Sequence, residues 1–359
     1  MQTYPNECAL PLSRQPRLGA RSVEEDFRDC GTELLSNEKR ALRLERLNVV
    51  AACDENFAQH SAVMLTSLLL SQGVKSNLIS IHILVPETFS DENRNKIIAS
   101  LDRFDASIIF VYVDPVRVSG LKLSGHLTSV AYYRLFLVEF LPNNVKKVLW
   151  LDSDILVIGD IFELYNIDLS SHPIGAVHDA FWANWGPRKL YFEGDKYFNS
   201  GMMLIDLECW RSQNIGSRAA EFARRHPELI VFHDQCALNH VIGDNYKSLE
   251  KKWNLQTAHI TTSEYRTQKL SHNKEDSRVI HFSSESKPWQ YSCQHPMKRI
   301  YFDYIKLTVW RDFKEQDRTA KKVAIKFLRR YAPWLAPLYR SVLRAKALFY
   351  RPSRSLPGI

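Results

Sequence analysis

Runs of apolar residues alternate with helically spaced apolar positions through the first half of the chain. Short apolar runs rich in β-branched residues are typical of buried strands, and apolar residues spaced three and four apart are typical of helices. Ser90, followed by Asp91 and Glu92, has the composition of a capped helix start. The pattern predicts strands over 47–53, 78–85 and 107–113 and helices over 57–70 and from 90 to about 104.

Strands that alternate with helices in this way indicate an α/β fold with a mainly parallel sheet covered on both faces. In such sheets, ligands bind beyond the carboxyl ends of the strands, where loops lead into helices. Two of these loops are acidic: the first strand runs into Asp54-Glu55-Asn56, and a later strand over 147–151 runs into Asp152-Ser153-Asp154. We therefore expect a ligand site at these loops.

The Asp-x-Asp pair at 152 and 154 is the strongest chemical signal. Two carboxylates one residue apart, just past a strand end, can share a hard cation such as Mg²⁺ or Mn²⁺. The alternative is an ordinary solvated turn. The apolar runs 148–151 and 155–158 favour the metal site. Two carboxylates held close together between buried segments repel each other, and a bound cation would offset that repulsion. The chain lacks the glycine loops of dinucleotide and P-loop sites.

The composition is that of an ordinary globular protein and excludes several classes. Of 359 residues, 45% are hydrophobic and 25% are charged, which does not fit a collagen-like or disordered chain. The six cysteines include no close pair, which fits a reducing compartment. No stretch has the roughly 20 apolar residues of a membrane span, and residues 1–46 lack the apolar centre of a secretion signal. We expect a cytoplasmic protein with a polar, flexible N-terminal extension.

The formal net charge of +8 arises from the C-terminal segment. Residues 320–359 contain ten Lys and Arg and no acid, which leaves 38 basic and 40 acidic residues in the rest of the chain. A nucleic-acid-binding protein is therefore a weaker alternative, since the body is slightly acidic and no readout motif accompanies the tail. We therefore expect the protein to have no nucleic-acid partner.

Apolar residues within this tail recur at helical spacing over 323–331 and 338–343, with Pro333 and Pro337 between the two segments. The pattern predicts a broken amphipathic helix. Basic residues near an anionic membrane contribute roughly 1 kcal/mol each, so we expect the tail to hold the protein reversibly at the inner face of the membrane. The alternative is a helix that packs on the rest of the chain and leaves its basic face to solvent.

Six blocks in order carry a resemblance to a known family. They are residues 49–57, 131–135, 147–154, 197–201, 233–235 and 281–289. Together they resemble glycosyltransferase family 8, whose retaining nucleotide-sugar enzymes include bacterial lipopolysaccharide α-galactosyl- and α-glucosyltransferases and glycogenin. The resemblance implies an α/β fold of GT-A type, with a Rossmann-like mixed sheet that binds a nucleotide sugar between flanking helices. The resemblance covers roughly residues 47–301. Together with the composition of the two ends, it predicts an extension (1–46), a catalytic domain (47–310) and a basic helical C-terminal tail (311–359).

The resemblance also implies roles for particular residues. Asp152, Asp154 and His281 would ligate Mn²⁺, or Mg²⁺, together with diphosphate oxygens of UDP-galactose or UDP-glucose. The other donor-binding positions are Ala52, Asp54, Asn56, Arg134, Ser153, Asn199 and Lys287. The catalytic positions would surround the transferred sugar, and they are Asp179, Asp234 and Gln235.

Several of these residues also have simpler interpretations. Arg134, on the helix-like stretch 129–140, could equally pair with a structural acid. His281 alone would be an ordinary core or surface histidine, and Asp179 would belong to a strand-end turn. Without the resemblance, residues 199–201 would be assigned to a turn.

The implied reaction transfers a hexose from UDP to an acceptor hydroxyl with retained anomeric configuration. The acceptor would be lipopolysaccharide core or another cell-surface glycan or glycolipid, and the aromatic stretch 181–193 is a candidate for stacking on its sugars. Double displacement would need a nucleophile where the chain has Gln235, and an amide is a poor one, so front-face attack is the preferred hypothesis. The alternatives are a UDP-sugar hydrolase and a UDP-sugar-binding pseudoenzyme.

Overall fold

The computed structural model describes residues 46–123, 128–185, 196–271, 276–315 and 317–331. Residues 1–45 of the predicted extension lie outside the described residues, as do 186–193 of the aromatic stretch and the second segment of the basic tail. The predicted strands and helices between 47 and 113 are all present, with small shifts at their ends. No helix in the described ranges is long and apolar enough to cross a bilayer.

A seven-stranded mixed sheet forms the centre of the molecule. In chain order, the strands of the described residues are β1 (Leu47–Ala52), β2 (Ile79–Pro86), β3 (Ser107–Val113), β4 (Lys147–Leu151), β5 (Ile155–Val157), β6 (Ile174–His178), β7 (Phe198–Asp206), β8 (Lys247–Ser248), β9 (Leu255–Gln256) and β10 (Val279–His281). The large sheet has the order β3-β2-β1-β4-β7-β6-β8. β7 is antiparallel to both β4 and β6 and the other neighbours are parallel. The sheet is therefore mixed. The alternation of strands and helices along the sequence had predicted a mainly parallel sheet.

Helices and short 3₁₀ segments connect these strands. The α-helices are α1 (Ala58–Gln72), α2 (Asp91–Leu101), α3 (Leu137–Phe140), α4 (Phe162–Tyr165), α5 (Ala180–Trp185), α6 (Leu207–Ser212), α7 (Ile215–Arg225), α8 (His233–Ile242), α9 (Thr262–Thr267), α10 (Lys298–Ile305) and α11 (Ala320–Tyr331). The 3₁₀ segments are Gly73–Leu78, Pro115–Val118, Ser129–Phe136, Lys251–Trp253 and Thr257–His259. The stretch 129–140 is thus a 3₁₀ segment followed by one α-helical turn, where a single helix-like stretch was predicted.

Alternate residues of the central strands face two separate apolar cores. In β4, Leu149 and Leu151 belong to the core that includes α1, whereas Val148 and Trp150 belong to the core that includes α7 and α8. Strands buried on both faces are continuous apolar runs, which is why the sequence pattern located them closely. These two cores hold the carboxyl end of β4 rigidly in place.

A second sheet, ordered β5-β10-β9, lies directly after that end of β4. β5 begins one residue beyond Asp154, and His281, the last residue of β10, pairs with Ile155 in antiparallel register. The backbone N–H of Phe282 donates to the carbonyl of Asp154 at 3.0 Å. The small sheet therefore places His281 next to the acidic loop, although the two are far apart in sequence.

Candidate active site

The acidic loop after β4 meets the end of β10 and the start of β7. Asp152, Asp154 and His281 each offer a ligand atom here, and these atoms lie within 4.8 Å of one another. The N–H of Asp152 donates to the carbonyl of Gly201 at 2.9 Å, which holds the loop against β7. Two carboxylates and an imidazole are a donor set that suits Mn²⁺. The structure thus brings together the three residues predicted as metal ligands.

Asp154 has the surroundings that best fit a cation. Its Oδ2 accepts a hydrogen bond from Nζ of Lys287 at 2.6 Å. Its Oδ1 is buried and accepts no hydrogen bond from any described residue, although Nε2 of His281 lies 3.2 Å away. A buried polar atom without a partner calls for a missing ion or water. Burial acts to raise the pKa of Asp154, but the positive charge of Lys287 holds that pKa well below its usual range, so the carboxylate is charged.

Gly201 keeps space open beside the same ligands. A Cβ at this position would lie 2.3 Å from Cε1 of His281 and 2.9 Å from Oδ2 of Asp152. Any side chain would therefore displace one of these groups, and only glycine allows the backbone this close. Residues 199–201, which local pattern alone assigned to a turn, lie within β7.

Arg134 connects the metal ligands with the deeper acid Asp234. Its side chain is 5% exposed; Nη2 lies 2.8 Å from Oδ1 of Asp152 and Nε lies 3.1 Å from Oδ2 of Asp234. Nη1 donates to the carbonyl of Ser200, and the guanidinium lies 4.5 Å from the Trp150 ring centroid. Burial raises the pKa of Asp234 to about 6 against the opposing effect of Arg134. Arg134 thus pairs with acids of the site itself.

Asp179, Asn199 and Gln235 form a buried hydrogen-bonded cluster. Oδ2 of Asp179 accepts from Nδ2 of Asn199 at 3.0 Å and from Nε2 of Gln235 at 3.1 Å. Oε1 of Gln235 in turn accepts from Nδ2 of Asn199 at 3.2 Å and from the N–H of Ser200 at 3.1 Å. The other oxygen of Asp179 accepts the N–H of Trp182 at 2.7 Å. We call Asp179, Asn199 and Gln235 the amide cluster.

A pocket opens beside the metal ligands. Its lining includes the predicted donor-binding residues Ala52, Asp54, Ser153 and Lys287. Asp54 is held by the backbone N–H groups of the two residues at 56 and 57 and by Thr128, whose hydroxyl donates to Oδ2 at 2.9 Å. Two predicted donor residues do not line this pocket. Asn199 is buried in the amide cluster, and Asn56 has an exposed side chain that lines a neighbouring groove.

Comparison with known proteins identifies this arrangement. The model of glycosyl transferase family 8 matches residues 48–293. The chain belongs to that family. It is 30% identical to general stress protein A of Bacillus subtilis over 74% of this chain and 95% of that protein. It is 24% identical to lipopolysaccharide 1,3-galactosyltransferase of Salmonella typhimurium, over 74% of this chain and 80% of that protein.

The fold agrees with this family assignment. The crystal structure of the galactosyltransferase LgtC in complex with donor and acceptor sugar analogues aligns with a TM-score of 0.64 at 24% identity, covering 74% of this chain and 99% of that chain. The GT-A type α/β fold predicted from the resemblance is therefore confirmed, as is the prediction that the chain is a glycosyltransferase. All predicted site residues fall within the range that the family model matches.

Three contacts of this family 8 site were missed from the sequence. Nε1 of Trp150 donates to Oδ1 of Asp152 at 2.8 Å, and the hydroxyl of Ser200 donates to Oδ2 of Asp234 at 2.8 Å. Both residues lay inside recognised blocks but looked like ordinary strand residues. Asn254, which contacts His281 at 3.0 Å, lay outside every block. Its one signal was a polar residue between Trp253 and Leu255.

Proposed function

We propose that this glycosyltransferase is a metal-dependent, retaining hexosyltransferase. Its donor would be UDP-galactose or UDP-glucose, and its acceptor lipopolysaccharide core or another cell-surface glycan. The observation that carries the proposal is the convergence of Asp152, Asp154 and His281 around a carboxylate oxygen that lacks a hydrogen-bond donor. Similarity to a lipopolysaccharide galactosyltransferase supports the choice of substrates.

The three ligands would hold Mn²⁺ or Mg²⁺ next to the donor diphosphate. A divalent cation there supplies positive charge that stabilises the diphosphate as its bond to the sugar breaks. Lys287 adds a second positive charge at the same place, since its Nζ already lies 2.6 Å from Asp154. In this proposal Ala52 and Asp54 contact the uridine, with Asn56 at the rim of its pocket.

Retention of configuration is assigned to front-face attack, in which the departing phosphate oxygen takes the acceptor's proton. Gln235 supports this choice because its Oε1 already accepts two hydrogen bonds and a neutral amide is a weak nucleophile. Asp179 is likewise occupied by Asn199, Gln235 and the Trp182 N–H. In this proposal Asp179, Asp234 and Gln235 position and stabilise the sugar. A covalent hexose trapped on Gln235 or Asp234 and seen by mass spectrometry would contradict it.

A panel of UDP-sugars with Mn²⁺ tests the reaction, with UDP release measured in the presence and absence of a lipopolysaccharide-core acceptor. We expect release of UDP to depend on both Mn²⁺ and acceptor for one hexose. The double variant Asp152→Ala/Asp154→Ala should lose at least about 10³-fold in rate, since several kcal/mol of charge stabilisation disappear. The matched control Asp160→Ala/Asp168→Ala removes two acids outside the site and should keep full rate.

Three outcomes of this experiment would contradict the proposal. Absence of UDP-sugar binding at high Mn²⁺ would do so, as would equal binding by the Asp152→Ala/Asp154→Ala variant. Acceptor-independent release of UDP at the same rate would point instead to a UDP-sugar hydrolase.

We further propose that the enzyme works in the cytoplasm at the inner face of the membrane, bound through a tail that follows a catalytic domain over 47–310. In α11, Val323 and Phe327 are 37% and 61% exposed. The segment leading to it is anchored, because Nζ of Lys298 lies 2.5 Å from Glu315 and Nζ of Lys322 lies 2.7 Å from Asp317. Such an anchor would hold the catalytic domain close to a bilayer that α11 contacts.

Sedimentation with anionic vesicles tests this membrane proposal. Removal of residues 320–359 should release the protein from the vesicles while transfer to a soluble acceptor continues. Val323→Glu/Phe327→Glu should weaken binding in the full chain, because both changes place charge on the exposed apolar face. Unchanged vesicle binding by the shortened chain would overturn the proposal.

A further inference from the structure

Asn254 lies fully buried between the metal ligands and the amide cluster. Its Oδ1 is 3.0 Å from Nδ1 of His281, and its Nδ2 donates to Oδ1 of Asn199 at 2.9 Å. It follows the 3₁₀ segment Lys251–Trp253 and directly precedes β9, the strand that pairs with β10. Its backbone is therefore fixed relative to His281.

The direction of each hydrogen bond in this chain of side chains follows from its two ends. Asp179, when ionised, only accepts, so the Asn199 atom 3.0 Å from it must be the amide nitrogen. The backbone N–H of Gly201 only donates, so the Asn199 atom 3.1 Å from it must be the oxygen. Asn254 must then turn its own nitrogen to Asn199 and its oxygen to His281.

That orientation decides which nitrogen of His281 carries the proton. An amide oxygen facing Nδ1 at 3.0 Å accepts a hydrogen bond, so Nδ1 must bear the hydrogen. Neutral imidazole then has its lone pair on Nε2, the nitrogen that lies 3.2 Å from Oδ1 of Asp154. A metal-binding histidine is commonly held by such a partner on its second nitrogen.

We propose that Asn254 is a positioning residue, which holds His281 in the Nδ1-protonated form and aims the Nε2 lone pair at the divalent cation. The inference rests on the metal dependence proposed above. Through Asn199 and Asp179, the same residue joins the amide cluster to the metal ligands in one continuous hydrogen-bonded chain.

Asn239 offers a matched comparison. It is as deeply buried as Asn254, but its side chain bonds the backbone of Phe198 and Gln235, with Nδ2 donating to both carbonyls at 2.9 and 2.8 Å. It makes no contact with a metal ligand among the hydrogen bonds of the described residues. A purely structural buried amide should therefore behave like Asn239.

Binding of Mn²⁺ alone, measured from the electron paramagnetic resonance of the free ion, tests the proposal without turnover. Asn254→Leu should weaken Mn²⁺ binding about 10- to 100-fold, the usual effect of losing such a partner. Asn254→Asp keeps an acceptor for the Nδ1 proton but loses the donor to Asn199, so it should bind Mn²⁺ more tightly than Asn254→Leu does. Asn239→Leu should lower stability and leave the Mn²⁺ affinity of its folded fraction unchanged.

A second measurement needs no folded variant of Asn254. Nitrogen-15 spectra of the metal-free protein, recorded at a pH where the ring is neutral and with His281 assigned by its loss in His281→Ala, should show a protonated Nδ1 and an unprotonated Nε2. The opposite tautomer would overturn the inference, as would equal Mn²⁺ affinity in Asn254→Leu. If the unchanged protein binds no Mn²⁺, or binds it equally after Asp154→Asn, the proposed function itself fails.

Discussion

The two halves of the site differ in how completely their polar groups are satisfied. At the metal end, Oδ1 of Asp154 is buried without a hydrogen-bond donor, and Lys287 supplies the positive charge on the other oxygen. In the amide cluster, both oxygens of Asp179 and the oxygen of Gln235 accept hydrogen bonds within the protein. One half is fully hydrogen-bonded as folded, and the other leaves a buried carboxylate oxygen without a donor.

This difference indicates that the amide cluster provides rigidity and that the metal end provides binding energy for a cation. A satisfied buried network rigidifies its members and preorganises dipoles around a substrate. A buried carboxylate oxygen without a partner costs free energy, and a bound cation recovers that cost. Substitutions in the metal end should therefore respond to Mn²⁺, whereas substitutions in the amide cluster should act on folding regardless of it.

The largest effect is expected for Gly201→Ala. The new Cβ would crowd His281 and Asp152 at once, and His281 is held from behind by Asn254, so the ligand geometry must open. We expect Mn²⁺ affinity to fall about 100-fold, the upper end of losses from disturbed ligand support, with about 1–3 kcal/mol lost from the free energy of unfolding. Calorimetric titration with Mn²⁺ and chemical unfolding measure the two effects.

Gly175→Ala is the control for that substitution. Its Cβ would lie 2.9 Å from Cδ2 of Leu169 and 3.3 Å from Cδ1 of Leu249, which is similar crowding in β6 against apolar side chains. It should lower stability and keep Mn²⁺ affinity. Equal losses of affinity in both variants would mean that Gly201→Ala acts through general destabilisation and not by crowding His281 and Asp152.

An intermediate effect is expected for Gln235→Glu in the amide cluster. Glutamate keeps the acceptor for Ser200 and Asn199 but replaces the amide that donates to Asp179 at 3.1 Å with a second carboxylate. Two carboxylates at that distance raise the pKa of one of them. A raised folded pKa means that the destabilisation is fully present above that pKa and shrinks as the pH falls through it toward the pKa of the unfolded chain.

We therefore expect Gln235→Glu to lose about 2 kcal/mol of unfolding free energy at pH 8 and less at pH 5. Added Mn²⁺ should not change this loss. Gln235→Leu, which carries no charge, should lose stability equally at both pH values. A Gln235→Glu loss that grows in acid would refute the arrangement of donors and acceptors described for the cluster.

The sequence predicted most of the central sheet because its strands are buried on both faces and so form unbroken apolar runs. β4 was placed at its observed bounds, Lys147–Leu151. The antiparallel direction of β7 could not be predicted, since strand direction depends on pairing partners and not on local pattern. The two-residue strands β8 and β9 are too short to leave any periodic signal.

For the site, ordered blocks located the residues but not their partners. Asp154 and His281 were each identifiable, yet their contact depends on the pairing of β5 with β10. Arg134 had two interpretations in the sequence, and the structure reconciles them because its acids, Asp152 and Asp234, both belong to the site. The role of Asn254 could not be predicted, because it depends on contacts with Asn199 and His281 that form only in the folded chain.

The smallest effect is expected for Lys287→Met at the metal end. Loss of the Nζ contact leaves Asp154 charged without a counter-ion, and because both side chains keep 14% and 12% exposure the cost should be about 1–2 kcal/mol of unfolding free energy at pH 7. Mn²⁺ should recover much of that loss by supplying the missing positive charge. Since Lys287 lowers the pKa of Asp154, the loss should also shrink as the pH falls below about 4, where the unfolded carboxyl is protonated.

Lys298→Met is the matched control, because Nζ of Lys298 pairs with Glu315 at 2.5 Å and at similar exposure, 15% and 20%, outside the site. Its loss of stability should be the same with and without Mn²⁺. Thermal unfolding of both variants at pH 7, with and without Mn²⁺, separates the two cases. If Mn²⁺ restores Lys298→Met as well as Lys287→Met, cation binding is not confined to the Asp154 end, and the contrast between an open and a completed half of the site is wrong.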